Sequence, residues 1–302
     1  MVRSFISLGL SAVLVGLFAS PAFAGNGEAL VARVPAGMEG VVSVDVQRLR
    51  TAPVFADLTS VITSTSDYRS SIGTLTSNGV TFDPTTDVHT ILLAFPDADN
   101  TPDPDDALAL IEATFNTDQV LAAAAANNYT VQTSGDVRYF VARDRTVALL
   151  DATTVAIGPN DRVMQIVNAM AGNGSLGVGP SLRTQVRGAD KSEIVWFAMV
   201  RPNATAGIQA AHGGATIAAT FSAEATGTAV SAAEATRLVT EGNAQRHSAA
   251  SDPAMAAFGL APVLAAVTLE AADTSVNVGL SLNAATWASL SAQLLAVLES
   301  EL

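Results

Sequence analysis

The chain has 302 residues, 49% of them apolar and 14% charged, with no cysteine and with 28 acidic against 15 basic side chains, a net charge of −13. That composition is globular, and the length suffices for one large core or two modest ones. It excludes disulfides, thiol catalysis and a lipid-modified cysteine, and with Lys191 as the single lysine it leaves no basic stripe for nucleic acid or anionic lipid.

Residues 1–24, MVRSFISLGLSAVLVGLFASPAFA, read as a cleavable signal peptide. Arg3 precedes an apolar run from Phe5 to Phe18, and Ala22-Phe23-Ala24 supplies the small residues of a peptidase site. The run falls short of the about 20 residues that a bilayer span needs. The expected product begins at Gly25, works outside the cytoplasm (periplasmic or secreted), and has no transmembrane span. Arg3 leaves with the leader, so 14 basic residues face 28 acidic ones and the net charge becomes −14.

VVSVDV from Val41 reads as a strand, and TAPVFADLTSVI as a helix capped by Thr51 with Phe55, Leu58, Val61 and Ile62 on one face. Asp83 and Asp87 in FDPTTDV are turn residues, with Pro84 fixing the turn before the strand HTILLAF. FPDADNTPDPDDA, Phe95 to Ala107, separates that strand from LALIEATF, and a helix starts near Asn116. An acidic segment between two apolar strands belongs at a hairpin tip, where side chains meet water. The alternative is a calcium site built from Asp97, Asp99, Asn100, Asp103, Asp105 and Asp106, since hard cations take six to eight oxygens. The spacing starts as D-x-D and then departs from a calcium loop. Pro102 stands where the turn glycine belongs, and Leu108 where the bidentate glutamate belongs.

Further strands are expected at Tyr129 to Gln132, Tyr139 to Arg143, TVALL from Thr146 and TVAIG from Thr154, followed by the helix NDRVMQIVNAM. Asn160 is its expected cap, and Val163, Ile166, Val167 and Met170 its apolar stripe. GNGSLG, Gly172 to Gly177, matches G-x-G-x-x-G letter for letter but follows a helix, which makes it a connection and not a dinucleotide cradle. After a strand at Glu193 to Arg201, PNATAGIQAAHGG has the composition of a linker.

Two similar stretches close the chain. ATIAATFS, a turn near Ala223-Glu224 and ATGTAV lead into SAAEATRLVTE, where Ser231 and Glu234 make a capping box. AVTLEA, a turn at Ala272-Asp273 and TSVNVGLSL lead into a helix capped by Asn283. That helix should bury Trp287, Leu290, Leu294 and Val297 and expose Ser289 and Gln293. The expected class is α+β, with antiparallel sheets built from repeated ββα units and helices packed on one face. The expected organisation is an N-terminal α+β region over 25–202, a loop or linker over 203–214, and a C-terminal (ββα)2 region over 215–302.

His89, His212 and His247 have no histidine or carboxylate at the spacing of a helical zinc pair. His212-Gly213-Gly214 has the form of an oxyanion-hole loop, but no G-x-S-x-G elbow accompanies it.

The order VPAGMEGVVSVDVQRL, GVTFDPTTDVHTILLAF, a Y-F-V-A-R-D hairpin and a V-A-I-G strand entering a helix resembles exported bacterial proteins grouped as families of unknown function. The resemblance covers about two thirds of the chain and implies an extracytoplasmic α+β protein with no catalytic residues to carry over. The leading expectation is a non-catalytic envelope or secreted protein that binds a macromolecular partner through a sheet edge, a helix face or the acidic tip. A carrier of a small apolar or lipid-like ligand is the first alternative. A hydrolase whose site residues are not identified is the second.

Overall fold

The computed structural model describes residues 27–64, 69, 73, 76–96, 106–142, 144–200, 207–257 and 259–301. The expected signal peptide lies outside them. In chain order the described elements are β1 (Gly40–Asp45), α1 (Pro53–Ser64), β2 (Val88–Phe95), β3 (Leu108–Ala113), α2 (Thr117–Ala126), β4 (Gln132–Ser134), β5 (Val137–Ala142), β6 (Arg145–Leu149), β7 (Thr154–Gly158), α3 (Asn160–Met170), α4 (Pro180–Gly188), β8 (Val195–Val200), β9 (Ile208–Ile217), β10 (Phe221–Ala229), α5 (Ala232–Ala250), α6 (Pro253–Ala257), α7 (Ala261–Ala266), β11 (Val267–Ala272), β12 (Ser275–Leu282) and α8 (Ala284–Glu301). Four-residue helical turns at Glu28–Val31, Val46–Leu49 and Pro84–Asp87 complete the set. The protein is a mixed α+β fold with antiparallel strand pairing. Its described residues form two compact units, one from Ala22–Arg48 with Ile62–Arg183 and one from Leu49–Val61 with Thr184–Leu302.

In the first unit the strand order is β1-β2-β3-β7-β6-β5-β4. Alternation in β2 sends Val88, Thr90, Leu92 and Ala94 to one buried face. Register then builds a row across the sheet, because Ser43 pairs Leu92, Leu92 pairs Leu110, Leu110 pairs Ala156 and Ala156 pairs Ala148. All five residues of that row are fully buried. Helix α3 packs on β5, β6 and β7, and its Val163, Ile166 and Val167 are fully buried, each contributing about 1.5 to 3 kcal/mol of transfer free energy.

Two details of α3 differ from expectation. Asn160 is its first helical residue, and the cap position is Pro159, whose side chain makes no bond. The Asn160 amide oxygen instead accepts from the Thr146 hydroxyl at 2.8 Å, satisfying a buried group on β6. Met170, the last residue of the helix, is 42% exposed.

The acidic segment joins β2 to β3, which pair antiparallel up to Ala94 and Leu108. Asp97, Asp99, Asp103 and Asp105 lie outside the described residues, and Asp106 is exposed.

Several capping expectations match the bonds. The Asn116 side chain accepts from the N–H groups of Asp118 and Gln119, Asn283 accepts from Thr286, and Ser231 accepts from Glu234 at 3.2 Å. The Glu234 carboxylate turns to Arg237 at 2.8 Å. Asp83 accepts from Thr85 N–H at 2.9 Å, while Asp87 accepts from the Asp83 N–H at 2.7 Å. Helix α1 begins at Pro53, two residues after Thr51, because proline lacks the N–H that the first turn would strand.

The second unit has the order β11-β12-β10-β9-β8. Strand β9 takes in Ile208 to Gly214, so that part of the expected linker at 203–214 is paired sheet, and residues 203–206 lie outside the described set. The turn expected at Ala223-Glu224 is also displaced. It falls between Ile217 and Phe221, where Ala218 N–H donates to Thr220 C=O at 2.9 Å, and Ala223 and Glu224 sit inside β10. Helix α5 runs on to Ala250, a full two turns beyond the expected end near Glu241.

At the far end of this unit Trp287 is 4% exposed and stacks on Phe221 with ring centroids 4.9 Å apart. Ser289 and Gln293 are exposed, but Leu290 and Leu294 of the expected stripe are only half-buried, and the Val297 side chain lies outside the described set. Trp287→Ala should therefore cost about 3 to 5 kcal/mol from lost transfer energy and the cavity left under Phe221. Urea unfolding of parent and variant measures it.

Candidate functional site

The residues singled out by type are mostly closed into local structure. The His89 ring accepts from the Gln47 amide at Nδ1, 2.9 Å, and donates from Nε2 to the Thr114 hydroxyl, 2.7 Å. His247 donates from Nδ1 to the Asn243 carbonyl one turn earlier, at 2.7 Å. Gly172, Gly174 and Gly177 of GNGSLG all have positive φ, and the Gly177 N–H donates to Val34 C=O at 2.8 Å. Those glycines serve a turn between α3 and α4, with backbone pairing where a phosphate cradle would leave its N–H groups open. Among the described residues no three His, Cys, Asp or Glu side chains come together as metal ligands.

Asp151 in the first unit is held by two donors. Burial pushes its carboxyl up, but the Thr153 N–H at 2.8 Å and the Arg33 guanidinium at 2.6 Å outweigh that and hold it below its ordinary 3.8. A carboxylate lowered in the fold stabilises it above the unfolded pKa, and that contribution disappears as pH falls through the folded value. Arg33→Gln should raise the Asp151 pKa toward 3.8 and flatten the acid limb of stability, as an NMR titration and unfolding at pH 5 and pH 3 would show.

The arrangement that can engage another molecule is a face of the second unit's sheet. The register places Ala198, His212, Thr226, Asn277 and Glu270 in one cross-strand row, and Trp196, Gly214, Glu224, Gly279 and Thr268 in the next. Ser222 with Ser281 and Thr228 with Ser275 flank them. On this face β10, β12 and β11 carry hydroxyls, one amide and two carboxylates. The Thr226 hydroxyl donates to Asn277 Oδ1 at 3.0 Å, and Glu224 and Glu270 are exposed. Neighbouring strands lie about 4.8 Å apart, so Thr226, Asn277 and Glu270 span about 10 Å.

Glycine makes the face what it is. A Cβ on Gly214 would sit 2.8 Å from Glu193 Cγ, and one on Gly279 would sit 2.6 Å from Thr268 Oγ1. Glu193 and Thr268 lie down over those gaps, and the Glu193 carboxylate accepts from the Thr216 hydroxyl. Gly213 points the other way, where a Cβ would meet Glu224 O at 2.3 Å and Phe197 Cε1 at 2.9 Å. His212-Gly213-Gly214 is accordingly strand, and the oxyanion-loop form it has in the sequence is not its conformation.

At the β8–β9 side the face is roofed by the last turn of α4 and the loop after it. His212 Nδ1 donates to Gln185 Oε1 at 2.9 Å, and its ring occupies the space where a Gly188 side chain would be. Lys191 donates to the carbonyls of Val186 and Ala189, the latter at 3.0 Å, and lies 5.6 Å from the centre of the Trp196 ring.

The edge of β11 is occupied by α5. Arg246 donates to Val267 C=O at 2.9 Å, and Asn243 to Leu269 C=O at 3.4 Å. Side chains from the covering helix thereby take the outward carbonyls that an added strand would need. The sheet edge, one of the three surfaces expected to bind, is closed at this end, while the face beside it is open.

No protein-family model and no curated protein matches the chain. Its solved structural neighbours include crystal form III of TP0453, at 8% identity and a TM-score of 0.50, covering 87% of this chain and 97% of that one. Forms IV and I of the same protein match with TM-scores of 0.49 and 0.47 at 8% and 7% identity, covering 86% and 87% of this chain and 95% and 96% of those. At such identity the likeness is one of fold. Among the described residues no helix is long and apolar enough to cross a membrane.

Gly213→Ala tests the close approach of β9 to β10 and Phe197. Its new methyl would meet backbone on β10 and should cost about 1 to 3 kcal/mol as overpacking. Thermal unfolding measures the cost.

Proposed function

We propose that this is an exported, non-catalytic protein that acts outside the cytoplasm, in the periplasm or after secretion, by binding a macromolecular partner through the open face of β10, β12 and β11. One observation carries the reading. Three neighbouring strands present side chains that can donate and accept hydrogen bonds on one face, with Ser222, Glu224, Thr268, Glu270 and Ser281 all exposed, while the adjoining edge is sealed by Arg246 and Asn243. A partner is offered a polar surface of strand pitch, and strand addition at β11 is blocked. The leader at residues 1–24 and the resemblance to exported bacterial proteins of unknown function support the compartment. The same proposal takes the ββα unit as the element of construction, supported by the succession β2-β3-α2, β6-β7-α3, β9-β10-α5 and β11-β12-α8 along the chain.

The test is purification from the native host of the parent and of a Glu224→Arg, Glu270→Arg variant. The parent should retain a protein or envelope component that the variant loses at unchanged melting temperature. Equal retention by both would overturn the assignment of the face. A small-molecule adduct in the native mass spectrum, with no macromolecule retained, would replace the reading with the ligand-carrier alternative.

A further inference from the structure

We propose that Asn173, in the turn between α3 and α4, is a site of spontaneous deamidation to aspartate and isoaspartate, selected over Asn78 by the backbone of the folded protein. The turn belongs to the first unit and has no part in the binding face.

The reaction needs an asparagine followed by glycine, whose missing side chain leaves its main-chain nitrogen open to approach. Three such steps occur, Asn26-Gly27, Asn78-Gly79 and Asn173-Gly174, and Asn26 lies outside the described residues. The glycine nitrogen loses its proton and attacks Cγ of the asparagine. The N–Cγ bond forms, the Cγ–Nδ2 bond breaks, and ammonia leaves with that proton. Water then opens the cyclic imide at either carbonyl, giving aspartate when it adds at Cγ and isoaspartate, with the chain running through Cγ, when it adds at the main-chain carbonyl. One water is consumed and one ammonia released, with no oxidant or reductant.

The fold treats the two described steps differently. Gly79 N–H donates to Thr76 C=O at 3.0 Å, and Asn78 is half-buried, so that nucleophile is engaged. Gly174 N–H makes no hydrogen bond among the described residues, and Asn173, Gly174 and Ser175 are all exposed. Helix closure is the reason. Gly172, at φ +88°, ends α3 in the left-handed conformation; its N–H donates to Ala169 C=O at 3.0 Å, and Asn173 N–H donates to Asn168 C=O at 2.8 Å. This closure uses the amides through residue 173. Gly174, at φ +146°, carries the first one beyond it.

The product alters what the turn holds. Isoaspartate adds one carbon to the main chain just upstream of the Leu176–Pro35 bridge and of Gly177 N–H, which donates to Val34 C=O at 2.8 Å. Either product also sets a carboxylate at the C-terminal end of α3, where the helix dipole disfavours it.

The full chain is aged at pH 8, folded or in guanidinium chloride, in heavy-oxygen water, and its peptides are mapped by mass spectrometry. In the folded chain, conversion at Asn173 should exceed that at Asn78 by about tenfold, the factor that opening one hydrogen bond supplies. In denaturant the two rates should become similar. Equal conversion at both sites in the folded chain, or the same preference in denaturant, would overturn the selection by the fold. The isoaspartate form, separated by ion exchange, should show faster hydrogen exchange at Gly177 than Asn173→Asp, which has the same charge without the added carbon. Equal exchange in the two would overturn the loosening of the turn.

Discussion

Everything distinctive in the second unit depends on two adjacent residues of β9 having no side chain. Gly213 lets Phe197 and the β10 backbone close on one side of the sheet, and Gly214 lets Glu193 lie across the other. A methyl on either would push β8, β9 and β10 apart at the strand they share. Beside that approach Lys191 lies 5.6 Å from the Trp196 ring and the His212 ring meets Gly188. Glycine usually weakens a strand by entropy and by leaving nothing to pack. Here the neighbouring side chains fill the vacated space.

The sequence reveals elements wherever polar and apolar residues contrast. Asn116, Ser231 and Asn283 disclose helix starts because a side-chain acceptor before an apolar run has one obvious use, the orphan N–H groups of the first turn. Asn160 misleads for a tertiary reason. Thr146 on β6 is fully buried and needs an acceptor, and the amide that could have capped α3 provides it. Met170 misleads because helical spacing is a local property and does not tell that the helix ends at this residue.

The candidate face is poorly legible for a different reason. From Ile208 to Ala229 the strands are made largely of alanine, glycine, threonine and serine, whose two faces differ little in polarity. Alternation of period two then carries almost no hydrophobic contrast, and a turn between Ile217 and Phe221 cannot be told from one at Ala223-Glu224. Only register resolves it. Once Phe221 is set opposite Ile217, Glu224 falls opposite Gly214 and Thr226 opposite His212, and the rows follow without further choice. Nothing local to His212 announces Gln185 or Gly188 as its neighbours, since both lie on a helix that precedes it by more than twenty residues.

Low side-chain contrast also bears on what such a face can do. Hydroxyls and amides lose little rotamer entropy on binding compared with lysine or arginine, and they carry no charge to be desolvated. Their contacts are individually modest, so recognition must come from many of them acting together, with position enforced by the sheet. Glu224 and Glu270 are then the two points where a single change has large leverage, because burying either against a partner without a matching cation would cost more than the surrounding hydroxyls return. On the proposed reading the face would be selective by exclusion, since any partner docking there would also have to answer two exposed carboxylates.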